Sequence, residues 1–149
     1  MKIKHFVVGF AVGAVLMLGS VACGSDDPAF APKMAVFTRL DPEQFAARMG
    51  DARADVINVH VPYEGELEKT NALIPFDRIV GDPRLPKDKG AEILLYCRSG
   101  RMSEMAGEAL VKEGYTNVSH LEGGMKAWEA AGKLIVHRPQ NAEPTAGSH

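Results

Sequence analysis

Four large apolar residues in a row, Ile93-Leu94-Leu95-Tyr96, stop at a cysteine, and the chain turns at once into a helix-like stretch from Met102 to Glu113. A run so short and so uniformly apolar reads as a buried strand, and a buried strand needs other elements packed over it. The rest of the chain repeats the rhythm. Asp41 as N-cap, Pro42 at the first helical position and Gln44 completing a capping box predict a helix to about Met49, with Phe45 and Met49 on one face and Gly50 as its stop. Val56-Ile57-Asn58-Val59-His60 is a strand candidate ended by Pro62, whereas Tyr63 to Asp77 has no clean period and reads as a long loop. Leu85 to Gly90 reads as a turn or short helix. After the cysteine, Met102, Met105, Ala106, Ala109 and Leu110 form an apolar stripe that Gly114 closes. Thr116 to Leu121 is a further strand, followed by Glu122-Gly123-Gly124 and a last helix from Met125 to about Ala131, capped by Gly132. Strands alternating with helices predict an α/β fold, a small mostly parallel sheet flanked by helices on both faces. Such sheets bind ligands at the carboxyl ends of their strands, and Cys97 falls at one of those ends.

The turn itself, Cys97-Arg98-Ser99-Gly100-Arg101-Met102-Ser103, is suited to a reactive thiolate. Successive backbone N–H groups in a Gly-containing turn form an anion-binding nest, and the following helix N-terminus adds partial positive charge. Arg98 and Arg101 add two full charges. All three effects favour thiolate over thiol. A cysteine ending a buried strand can equally be a small core residue. Two arginines and a glycine within the next four positions point to the nucleophile instead.

The N-terminus speaks for export. Lys2 and Lys4 precede an apolar run from Phe6 to Ala22, the pattern of a secretory signal over residues 1–22. The run ends in Ser20-Val21-Ala22-Cys23-Gly24-Ser25, which resembles a bacterial lipoprotein signal with Cys23 as the lipidated residue. The expected product is an exported, membrane-anchored lipoprotein, facing the periplasm or the outer cell surface. Residues 23–36, polar and Pro-punctuated, read as a linker; 37–137 as the domain; and 138–149 as a disordered tail. With Cys23 lipidated, Cys97 is the one thiol left, without a disulfide partner.

Composition removes several classes. A formal net charge of −2 offers no basic footprint for nucleic acid. His5, His120, His137 and His149 show no metal-ligand spacing, so neither a metal nor any other cofactor is expected. No Gly-rich nucleotide motif follows a strand. Trp128 reads as core, and His60 as a structural strand-end residue.

Three pieces carry a family likeness: the Cys97–Ser103 loop, Leu121-Glu122-Gly123-Gly124-Met125-Lys126-Ala127-Trp128, and the upstream stretch from Val56 to Glu64. Their order and spacing resemble the rhodanese-like (sulfurtransferase) family over roughly Phe37 to Val136. The resemblance implies that Cys97 accepts sulfane sulfur from thiosulfate or a low-molecular-weight persulfide and passes it to a thiol or other nucleophile. Backbone N–H groups from Arg98, Ser99, Gly100, Arg101, Met102 and Ser103 would bind the anionic sulfur. Ser103 could instead cap the helix. The chain departs from the family where Asp-Val-Arg becomes Asn58-Val59-His60 and a Gly-His-Ile-Pro-Gly-Ala-like segment becomes Gly65-Glu66-Leu67-Glu68-Lys69 with a later Ile74-Pro75. It departs again at Met102, where many relatives carry Arg. A Cys-x5-Arg phosphatase or arsenate reductase would need Arg where Ser103 stands. A non-catalytic binding module, or a persulfide carrier at the membrane surface, is the remaining alternative.

Overall fold

The structure, a computed structural model, describes residues 36–139. The signal, Cys23, most of the linker and the tail beyond Pro139 lie outside the described residues. The elements in chain order are β1 (Val36–Leu40), α1 (Pro42–Arg48), β2 (Asp55–Asn58), β3 (Ala72–Leu73), β4 (Ile93–Tyr96), α2 (Arg101–Lys112), β5 (Asn117–Leu121) and α3 (Gly124–Ala130).

The five strands form one sheet in the order β1-β5-β4-β2-β3, and every pairing is parallel. All carboxyl ends therefore share one rim. β4 is central and buried at all four positions, as an apolar run covered on both faces must be. Its side chains alternate between two cores. Ile93, Leu95 and Cys97 join Ile57, Val59, Ala106, Leu110 and Val118 under α2. Leu94 and Tyr96 join Phe45, Leu121, Met125 and Trp128 under α1 and α3. Phe45 meets the rings of Tyr96 and Trp128 edge-on, with centroids 6.4 and 6.3 Å away. Helices thus cover both faces.

The capping box of α1 is formed: Gln44 N–H donates to Asp41 Oδ1 at 2.8 Å, and Asp41 N–H to Gln44 Oε1 at 3.1 Å. Two strands differ from the sequence expectation. β1, paired along its length with β5, has Thr38 and Arg39 at its centre and so lacks an apolar run. β3 lies inside the expected long loop, and its two residues are too few to show a period. The chain end differs too, since Arg138, the first residue of the expected tail, is tied to the domain at three points described below.

Candidate active site

β4 carries Cys97 to the rim, where the residue is 1% exposed. Its thiol has a specific partner, the backbone N–H of Gly100, which donates to Sγ at 3.1 Å. That bond requires the chain to reverse direction within three residues. Gly100 does this at φ +92°, in the left-handed region, and serves as N-cap of α2. Glu104 N–H then closes the first helical turn on the Gly100 carbonyl at 3.0 Å. The N–H groups of Arg98, Ser99, Arg101, Met102 and Ser103 make no hydrogen bond among the described residues. They remain as donors at the positive end of a 12-residue helix, suited to negative charge.

The loop rests on α3. Met125 N–H donates to the Cys97 carbonyl at 2.9 Å and Lys126 N–H to the Arg98 carbonyl at 3.1 Å. A Cβ on Gly124 would lie 2.3 Å from the Cys97 carbonyl oxygen, so only glycine permits this approach. The Gly123-Gly124 pair is therefore part of the cysteine loop's seat.

A different kind of wall faces it. Beyond β2 the chain passes through a cis Val61–Pro62 bond into residues 63–68. Buried Asn58 organises the entry: its Nδ2 donates to the Gly65 carbonyl at 3.0 Å, and His60 N–H donates to its Oδ1 at 2.9 Å. The amide supplies both a donor and an acceptor, which an ionised aspartate could not. Tyr96 Oη accepts from Leu67 N–H at 3.0 Å and lies 2.5 Å from Thr70 Oγ1; burial holds this phenol above its usual range. Glu66 and Val136 exchange two backbone bonds of 2.8 Å. Arg138 adds Nη1 against Glu66 Oε1 at 2.7 Å, Nη2 to the Glu68 carbonyl at 2.6 Å, and its N–H to Tyr63 Oη at 2.9 Å. Burial raises the Glu66 carboxyl's pKa, and the Arg138 charge opposes that shift.

At the mouth, Arg98 Nε lies 2.9 Å from Glu64 Oε2, and His60 Nε2 lies 3.5 Å from the same oxygen. Both His60 ring nitrogens are buried without a hydrogen bond among the described residues. Arg101 and Ser99 are exposed, and Arg101 forms no ion pair among the described residues. Met102 packs on the α2-side core, so its contribution to the loop is backbone. Ser103 is fully buried, its hydroxyl donating to the Gly100 carbonyl at 2.9 Å and lying 3.1 Å from His120 Nδ1. It caps nothing: the N-cap is Gly100, without a side-chain bond. His120 stacks on Phe37 with centroids 5.1 Å apart, and burial pushes its pKa down.

The rhodanese-like domain model matches residues 41–131. The chain belongs to this family. Among curated relatives, a sulfurtransferase of Allochromatium vinosum is 33% identical over 65% of this chain and 92% of its own length. The thiosulfate sulfurtransferase GlpE of Pseudomonas fluorescens is 28% identical over 65% of this chain and 89% of its own. Other curated relatives are longer, and the chain spans 15% to 46% of their lengths. A crystal structure of a rhodanese-related protein from Thermoplasma volcanium superposes with a TM-score of 0.56 at 21% identity, over 66% of this chain and 97% of that one; it establishes the fold.

Within this rhodanese-like domain the loop from Cys97 to Ser103 is one continuous unit, but its side chains divide. Arg98, Ser99 and Arg101 face outward, whereas Met102 and Ser103 turn inward. Trp128 is core, its Nε1 donating to the Leu134 carbonyl at 3.0 Å. Sequence reasoning did not bring forward Glu64 or the part His120 plays beneath the loop. For Glu64 the spacing of four residues from His60 was the available signal. Among the described residues, no group of three or more His, Cys, Asp or Glu side chains is placed to hold a metal ion.

Proposed function

We propose that this protein is a sulfurtransferase working through a Cys97 persulfide. The observation that carries the reading is the Gly100 N–H bond to Cys97 Sγ, inside a loop of otherwise unpartnered N–H donors at the head of α2. The curated sulfurtransferase relatives support the same chemistry. Cys97 thiolate attacks the outer sulfur of a donor such as thiosulfate. The new S–S bond forms as the donor's S–S bond breaks, and sulfite leaves with the electron pair. The persulfide's terminal sulfur keeps one negative charge, which preorganised N–H donors stabilise. A thiol, or cyanide in an assay, then takes that sulfur and regenerates the thiolate, completing a two-step covalent cycle. Lipidation at Cys23 would hold the domain at an exported membrane face, as the leader pattern suggests.

The test is thiosulfate-to-cyanide transfer by the full chain in detergent, beside Cys97→Ser, with mass spectrometry of the Cys97 peptide. Transfer lost in the variant, with one added sulfur on the parent, is the expected result. A stable sulfur adduct without turnover would make the protein a carrier for a protein acceptor. Absence of both turnover and adduct would overturn the reading.

A further inference from the structure

Two arginines follow the nucleophile within four positions, but only Arg101 stands free of an ion pair among the described residues. Arg98 spends its Nε on Glu64 at 2.9 Å, and the pair is partly exposed at the mouth of the Cys97 loop. Glu104, in the first turn after the loop, pairs with Arg39. Arg101 and Lys126 are exposed and form no ion pair among the described residues. Glu122, exposed beside the Gly123-Gly124 seat, forms no ion pair among the described residues, so Glu64 is the carboxylate paired with a loop side chain, and it cancels the cation next in sequence to the nucleophile. The buried His60 ring, 3.5 Å from the same carboxylate oxygen, closes the contact from the β2 side.

We infer that Glu64 is a specificity residue: by holding Arg98 it selects sulfur donors of low negative charge, thiosulfonate or persulfide monoanions, over the thiosulfate dianion. A dianion gains more from a guanidinium released towards it than a monoanion does, since the interaction scales with the product of charges, and the partly solvated carboxylate's own repulsion is the smaller part. Sulfur transfer from a thiosulfonate balances as it does from thiosulfate: Cys97 S⁻ forms the new S–S bond, the donor's S–S bond breaks, and a sulfinate leaves with the pair. The substrate class rests on the sulfurtransferase reading. The charge effect at Cys97 does not, and can be read without turnover.

Two ratios are measured on the full chain, Glu64→Gln, Arg98→Ala and the double variant. One is kcat/KM for thiosulfate over that for methanethiosulfonate. The other is the alkylation rate of the Cys97 peptide by iodoacetate over that by iodoacetamide, followed by mass spectrometry. E64Q is expected to raise the first ratio about three- to tenfold and the second about two- to fourfold, for one charge removed at a partly solvated site. R98A lowers both ratios, and in the R98A background E64Q raises them less than half as much as in the parent, because no guanidinium is left to release. High salt compresses every difference. Ratios unchanged by E64Q would overturn the inference, as would an equal rise in the R98A background. If the parent transfers sulfur from neither donor, the sulfurtransferase reading falls, and the alkylation ratio alone decides Glu64.

Discussion

The two walls around Cys97 are built from different materials. On one side the chain holds itself by its backbone: Gly100 N–H on Sγ, and Met125 and Lys126 N–H on the carbonyls of Cys97 and Arg98. On the other, side chains do most of the holding: Asn58 on Gly65, Tyr96 on Leu67 and Thr70, Arg138 on Glu66 and Tyr63, and Glu64 on Arg98. A backbone wall tolerates changes of side chain but not of glycine. A side-chain wall can be retuned one residue at a time. The nucleophile sits on the first, and selectivity has room to vary on the second.

The sharpest way to break this contrast is Gly124→Ala. The added Cβ meets the Cys97 carbonyl at 2.3 Å and sits on a φ of +60°, so the loop must leave its seat. We expect a loss of about 3 kcal/mol or more in urea unfolding, together with loss of sulfur transfer. Wild-type stability would show that the seat is not rigid. On the facing wall, Tyr96→Phe strands the Leu67 N–H, while the Thr70 hydroxyl keeps its bond to the Leu67 carbonyl, and should cost about 1–3 kcal/mol by the same measurement. The Cys97 loop should keep its sulfur-accepting step. Arg101→Ala should raise the thiosulfate KM about threefold through lost attraction, leaving the unfolding midpoint in place. An equal KM rise for an uncharged alkylating probe would mean that Arg101 acts by shape.

The smallest effect is read by pH. Burial holds the His120 pKa below its usual 6.5, so below about pH 6.5 the unfolded chain takes up a proton that the native ring resists. Its stabilising contribution is whole above that value and is lost as pH falls through the folded pKa. His120→Gln should flatten the slope of stability between about pH 7 and 5. An unchanged slope would place the acid sensitivity elsewhere, away from the ring beneath the loop.

The contrast also accounts for what could be read in the sequence. The Cys97 loop, the central strand before it, the α1 capping box and the Gly-Gly turn of α3 are local: each depends on residues within a few positions. Glycine and apolar runs mark such places. β1 escaped because an edge strand with Thr38 and Arg39 at its centre shows no apolar run. The facing wall escaped because its bonds include ones between residues far apart, Tyr96 to Leu67 across 29 positions and Tyr63 to Arg138 across 75. Ser103 was open to two readings, binding group or helix cap. Its hydroxyl instead found a third use, bracing Gly100 beside His120.

The link from Tyr63 to Arg138 bears on how the molecule is made and trimmed. All five strands are complete by Leu121 and the seat of the cysteine loop by Lys126, whereas the facing wall gains its last bonds from Val136 and Arg138. A chain emerging N-terminus first therefore carries a seated cysteine before it carries a closed mouth. A proteolytic cut between Trp128 and Val136, followed by loss of the C-terminal piece, would remove those last bonds and leave all five strands in the remaining chain.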